Sequence, residues 1–202
     1  MYRGLAQSEN VTALRVAQEV GLKKVIDVAQ RLGVKSSLIE APGLTIGQSE
    51  TTVLEMTGAY ATIANDGIWN KPHAINRVLD GSDCKDSGDS DTCREIYVFD
   101  DDKETYRDVM APEITDELTK MLKEAVEEGT GKGAYIDKKE AGKTGTTDKN
   151  VDLWFIGYAP VKDYDYVTGV WLGNDDNSPT RGSSYQAATL WGKYMRQALE
   201  FR

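Results

Sequence analysis

Three β-type segments crowd into residues 141–172, and their spacing leaves few arrangements open. They are 141–147 (AGKTGTT), 153–159 (LWFIGYA) and 166–172 (YVTGVWL). Asp148-Lys149-Asn150 lies in the first turn and Lys162-Asp163 in the second. Parallel neighbours need a crossover of a dozen residues or more, so connections this short make the strands antiparallel. The rest of the chain reads mainly as helix. Residues 11–20 and 22–32 form two short helices broken at Gly21 and stopped at Gly33, with Leu22, Val25, Ile26, Ala29 and Leu32 on one stripe. Residues 34–50 are a loop. Thr52 and Glu55 have capping-box spacing, and they open a helix with Leu54, Ala59, Tyr60 and Ile63 inward, ending near Asp66-Gly67.

A longer helix is expected from about Pro112 to Glu128, with Ile114, Leu118, Met121, Leu122, Ala125 and Val126 buried and Gly129 as its stop. A last helix at about 185–200 carries Ala188, Trp191, Tyr194, Met195 and Ala198 at helical spacing. Residues 74–79 and 95–99 read as a strand pair. Helices followed by a meander and a covering helix predict an α+β fold, an antiparallel sheet covered by helices. No internal repeat or long linker divides the 202 residues, so residues 1–202 read as one domain with an acidic insert at about 80–94.

Charge narrows the function. A net charge of -9 argues against nucleic acid and against an anionic membrane surface as partners. The only histidine is His73, which disfavours a His-based triad and a His-rich metal site. The insert, DGSDCKDSGDSDTCRE, holds both cysteines, Cys84 and Cys93. Metal binding would want two more ligands nearby. Two free thiols and a local disulfide remain open readings; the disulfide, carried forward as the expectation, implies an extracytoplasmic setting.

Residues 141–147 put one cation among glycines and hydroxyls. Side chains alternate along a strand, so Lys143 and Gly145 share one face and Thr144 and Thr146 the other. Such an edge offers backbone N–H groups, hydroxyls and one positive charge to an extended peptide ending in a carboxylate. Taken alone, K-T-G reads as a strand with an exposed lysine and glycine kinks, since a three-residue match is common by chance. Ser8-Glu9-Asn10 is equally a helix cap before Val11.

Taken together and in order, these stretches resemble the transpeptidase domain of penicillin-binding proteins, most closely the bifunctional class A type. The segments that carry the resemblance are GLAQSENVTALRVAQEVG, TIGQSETTVLEMTGAYATIANDGIW, VEEGTGKGA, GKTGTTDKNVDLWFIGYAP and VTGVWLGND. The chain departs in its cysteine-bearing insert and in the glutamate within S-x-N. The resemblance also implies a nucleophilic serine in S-x-x-K ahead of S-x-N, whereas only seven residues precede Ser8. Ser82-Asp83-Cys84-Lys85 matches by spacing, but it follows S-x-N and sits in the acidic insert. The expectation is therefore the C-terminal portion of a transpeptidase domain, with its nucleophile upstream.

The resemblance implies a D-Ala-D-Ala transpeptidase that cross-links peptidoglycan stem peptides, is trapped by β-lactam antibiotics, and needs no metal or organic cofactor. It implies that Ser8 relays protons, Asn10 bonds the substrate, and Lys143 supplies positive potential. Thr144, Gly145, Thr146 and Thr147 would line the substrate, with the Thr146 N–H as an oxyanion donor. The full-length protein would be membrane-anchored with this domain extracytoplasmic, while residues 1–202 alone would be inactive and self-associate through an apolar face around Trp171. The other readings are a serine β-lactamase or β-lactam sensor on the same fold, and a non-enzymatic module that binds peptide or a partner.

Overall fold

The computed structural model describes residues 1–99, 105–162 and 164–200. Asp163, part of the second expected turn, lies outside them. The element order is α1 (Tyr2–Ala6), α2 (Asn10–Val20), α3 (Leu22–Arg31), α4 (Val53–Ala64), β1 (Ile68–Asn70), β2 (Arg77–Cys84) and β3 (Cys93–Val98). It continues through β4 (Tyr106–Asp108), α5 (Pro112–Glu127), β5 (Ala141–Thr146), β6 (Leu153–Val161), β7 (Tyr164–Leu172) and α6 (Ser184–Glu200). The chain falls into two compact units, Met1–Trp69 with Asp108–Arg202, and Asn70–Arg107.

The larger unit is built on the antiparallel sheet β5-β6-β7. Its register sets Lys143 opposite Ile156 and Thr144 opposite Phe155. The two faces bury different helices. Leu153, Phe155 and Ala159 pack with Ala188, Trp191 and Met195 of α6. Ala141 and Tyr158, on the other face, pack with Leu5, Tyr60 and Leu122 from α1, α4 and α5. Trp191 is fully buried. It tilts against the Phe155 ring at 5.1 Å and donates from Nε1 to the Thr168 carbonyl at 3.0 Å. Truncating a buried aromatic of this kind to alanine costs roughly 3–5 kcal/mol, so α6 is a structural lid for the sheet. At Gly142 a Cβ would meet the Phe155 ring at 2.5 Å and the Ile156 carbonyl oxygen at 2.8 Å, which explains the glycine beside Lys143.

The helices begin and end for local reasons. Thr52 and Glu55 form the capping box at α4, each accepting from the other's backbone N–H. The Glu55 carboxylate also accepts from the Lys35 and Ser36 N–H groups and the Ser36 hydroxyl. Two expected core positions are instead exposed. Leu54 is 65% exposed because Val53 and Thr57 form the face of α4 that meets β7 at Gly169. Ile114 is 54% exposed because Thr115 takes the buried place in the first turn of α5, bonding the Pro112 carbonyl. Helical spacing identified the stripe but missed its rotation by one residue at each N-terminus. Tyr194 is likewise exposed, with its hydroxyl 3.0 Å from that of Tyr166.

The smaller unit contains the hairpin β2–β3, which starts three residues later than the expected 74 and takes in the acidic insert itself. Cys84 and Cys93 face each other in the ladder and are joined as a disulfide. Arg94 bonds Asp80 at 2.6 Å and Asp83 at 2.9 Å, and Arg77 pairs with Asp91, so the insert neutralises part of its own charge. His73 stacks on Phe99 with ring centroids 3.5 Å apart and lies 2.8 Å from the Asn76 side-chain oxygen. Both contacts give this ring a structural place.

Candidate active site

Ser8 occupies the tight turn between α1 and α2. Its φ is 56°, in the left-handed region that costs a non-glycine residue of order 1 kcal/mol. The Ser8 N–H donates to the Leu5 carbonyl at 3.1 Å, and the Glu9 N–H to that of Gly4 at 2.8 Å, so the backbone holds the turn. Neither Ser8 nor Asn10 caps α2 with its side chain. Glu9 is the N-cap, Asn10 is the first helical residue, and no side chain caps that end. The Ser8 hydroxyl is engaged elsewhere: Lys143 Nζ donates to it at 2.9 Å across 135 residues of sequence. Asn10 is exposed on the following residue but one.

Lys143 lies on β5, an edge strand of the sheet. Besides Ser8, its ammonium group faces the Thr144 carbonyl at 3.1 Å and the Thr144 hydroxyl at 3.4 Å. No carboxylate pairs with it among the described residues. Burial alone therefore acts on it, and pushes its pKa down from 10.5 to about 8. A cation desolvated without a counter-ion gains from an incoming anion, which fits the strand for a carboxylate-bearing ligand.

The remaining motif residues divide. Thr144 is buried, and its hydroxyl lies 2.6 Å from that of Thr130. Thr146 is exposed at the end of the strand, and Gly145 lies opposite Trp154. The Thr147 hydroxyl is committed to the turn, donating to Asp152 Oδ2 at 3.0 Å and accepting from the Asp152 N–H at 2.8 Å. The other Asp152 oxygen accepts from Trp171 Nε1 at 2.8 Å. Ser8, Lys143 and Thr144 are thus joined directly, while Thr147 faces away into a structural bond. The second S-x-x-K match lies on the hairpin, where the Ser82 hydroxyl donates to Asp80 at 2.6 Å.

Two contributors were not read from the sequence, Asp152 and the turn 128–131 after α5. That turn ties the Ser8 segment to β5. The Thr130 N–H donates to the Ala6 carbonyl at 3.0 Å, and Gln7 Nε2 donates to the Glu128 carbonyl at 3.2 Å. A Cβ at Gly129 would meet the Ala6 oxygen at 2.1 Å, so only glycine allows this approach. The Gly-Thr-Gly run was the available signal, since it lies in a segment that carries the family resemblance.

The penicillin binding protein transpeptidase domain, as a family, matches residues 1–196. The chain belongs to this transpeptidase family. Its relatives include penicillin-binding protein 1A of Rickettsia conorii, 33% identical over 188 residues, covering 87% of this chain and 23% of that protein. The Aquifex aeolicus penicillin-binding protein 1A is 32% identical over 196 residues, covering 95% and 24% respectively. The chain thus spans about a quarter of the length of the curated relatives it matches, and they agree with the class A resemblance.

Among solved structures, penicillin-binding protein 1A from Haemophilus influenzae superposes with a TM-score of 0.78 at 24% identity, over 98% of this chain and 34% of that one. Penicillin-binding protein A from Mycobacterium tuberculosis, an imipenem acyl-enzyme complex, gives 0.72 at 21% identity, over 98% and 47%. The penicillin-binding protein transpeptidase fold is therefore the fold of this chain, α+β with its antiparallel sheet between helices.

Proposed function

We propose that this chain supplies the ligand-receiving part of a serine acyl-transfer site that cross-links peptidoglycan. The attacking serine of S-x-x-K is assigned to sequence outside residues 1–202. That serine adds to the carbonyl of a D-Ala-D-Ala bond, and the last alanine leaves with a proton. An amine from a neighbouring stem peptide then takes the acyl group and releases the serine. β-Lactams enter the first step and are held at it. The pairing of Cys84 with Cys93 supports an extracytoplasmic setting.

The chain's residues have separate parts in this reading. The Ser8 oxygen accepts from Lys143, which leaves its own proton free to move towards the leaving group. Lys143 lowers the cost of negative charge arriving beside it. Thr144 and Thr146 receive the ligand carboxylate, and Gly145, on the Lys143 face of the strand, adds no side chain beside the cation. The Thr146 N–H serves as an oxyanion donor, and Asn10 bonds the acyl portion. Thr147 closes the strand through Asp152.

One observation carries the reading: a half-buried lysine with no carboxylate partner among the described residues, 2.9 Å from a serine hydroxyl, on an edge strand of this fold. The test is acylation of the full-length protein by a fluorescent penicillin. Lys143→Ala should slow it by ~10²-fold or more, equivalent to ~2.7 kcal/mol of transition-state stabilisation. Lys143→Arg should keep part of the rate. A wild-type protein that no β-lactam acylates sinks the reading, and rapid hydrolysis of a chromogenic cephalosporin moves it to a β-lactamase.

A further inference from the structure

Thr130 belongs to neither motif, yet it meets both. Its main chain is bonded to Ala6, two residues before Ser8, and its side chain reaches β5. The residue is exposed, so it stands at the rim of the site.

Counting protons assigns it a task. A lysine ammonium has three hydrogens. Three acceptors surround that of Lys143: the Ser8 hydroxyl at 2.9 Å, the Thr144 carbonyl at 3.1 Å and the Thr144 hydroxyl at 3.4 Å. The cation is therefore fully engaged within the protein, and direct donation to a ligand falls to the hydroxyls. Thr130 and Thr144 together hold two hydroxyl protons. One lies in their 2.6 Å bond, and the other is left over. If Thr130 donates, the Thr144 oxygen accepts from both Thr130 and Lys143, and its own proton is left over. If Thr144 donates, the exposed Thr130 presents the spare proton. In both cases the pair offers one proton beside a cation that has no carboxylate partner among the described residues.

We propose that Thr130 is a positioning and specificity-determining residue: paired with Thr144, it delivers one hydrogen bond to the carboxylate of the ligand. This inference rests on the reading of β5 as a carboxylate receptor. Lys143 supplies the potential that attracts the anion, and the hydroxyl pair supplies the direct contact. Hydrogen bonds to a charged acceptor are the strong ones, and they strengthen further when the donor itself accepts from a second hydroxyl.

The experiment compares acylation of the full-length protein by benzylpenicillin and by its methyl ester, which lacks the charge. Thr130→Val keeps the shape and removes the hydroxyl. It should slow acylation by the acid about tenfold and leave the ester within about twofold, so that the acid-to-ester ratio falls. Thr130→Ser should restore the ratio. Thr130→Val also gives up its 2.6 Å bond to the buried Thr144, so its thermal midpoint should fall by a few degrees at most, while Thr130→Ser should match wild type. A wild-type ratio in Thr130→Val overturns the inference, whether both rates are unchanged or both fall together. A wild-type protein that neither ligand acylates overturns the underlying reading and this inference with it. Normal loss of rate in Lys143→Ala with an unchanged ratio in Thr130→Val overturns this inference alone.

Discussion

Asp152 and Thr147 bond each other twice, side chain to side chain at 3.0 Å and backbone to side chain at 2.8 Å, in the turn that leaves β5. Trp171 occupies the other carboxylate oxygen, so Asp152 joins the end of the motif strand to β7. Asp152→Ala leaves one hydroxyl and one indole N–H without their acceptor. It should cost about 1–2 kcal/mol, or a fall of several degrees in thermal midpoint for a chain of this size. Asp152→Asn should recover part of that. A melt of Asp152→Ala that coincides with wild type would remove this role.

The charge of Lys143 predicts two opposite pH effects. Its pKa is depressed by burial, so between about 8 and 10.5 the unfolded chain holds a proton that the folded chain has lost. Folding stability therefore rises with pH across that window, and Lys143→Met should flatten the rise. Penicillin acylation should fall over the same window, because the positive potential disappears. The check is the difference in thermal midpoint between wild type and Lys143→Met, measured against pH alongside the acylation rate.

Glu55 predicts the acid limb. The hydrogen bond from the Ser36 hydroxyl, with those from the Thr52, Lys35 and Ser36 N–H groups, outweighs desolvation and holds its pKa near 2, below the usual 4.5. A depressed carboxylate contributes stability above the unfolded value, and that contribution is lost as pH falls from about 4.5 towards 2. Glu55→Gln should make the thermal midpoint less steep against pH in this range. A slope identical to wild type would show that the clamp on residues 35 and 36 contributes nothing.

The bond between Cys84 and Cys93 closes a loop with a sequence separation of 9. In the chain-entropy model a loop this short contributes roughly 2–3 kcal/mol. Non-reducing peptide mapping of the purified protein should recover the two cysteines in one linked fragment. Reduction should speed amide exchange across residues 77–98. Two free thiols, or a link between chains, would contradict this pairing.

Residues 1–202 expressed by themselves should bind no fluorescent penicillin covalently, because the assigned site residues receive the ligand and do not attack it. Co-expression with a penicillin-binding protein transpeptidase segment that carries S-x-x-K should restore labelling. A stable adduct mapped to Ser8 or Ser82 would place the nucleophile within this chain.

Periodicity located most elements because period and turn chemistry are local. The Thr52–Glu55 box, the α5 residues Met121 to Val126 and the meander from Ala141 to Leu172 each follow from neighbours a few positions away. The rotation of a helix about its axis does not, so Leu54 and Ile114 were placed inside. The motifs brought Ser8 and Lys143 under suspicion through resemblance, since nothing local links residues so far apart. Thr130 and Asp152 were invisible for a related reason. A hydroxyl or a carboxylate has no preferred partner until the backbone has placed one, and threonine in a Gly-Thr-Gly turn reads as turn chemistry alone.

The sequence separation of 135 between Ser8 and Lys143 also sets an order in time. A ribosome adding roughly 5–20 residues per second needs on the order of ten seconds to make the second residue after the first. Throughout that interval the turn at Ser8 exists without the strand that completes it. The pairing therefore cannot form until β5 has been made, and premature termination anywhere before β5 yields a product without Lys143.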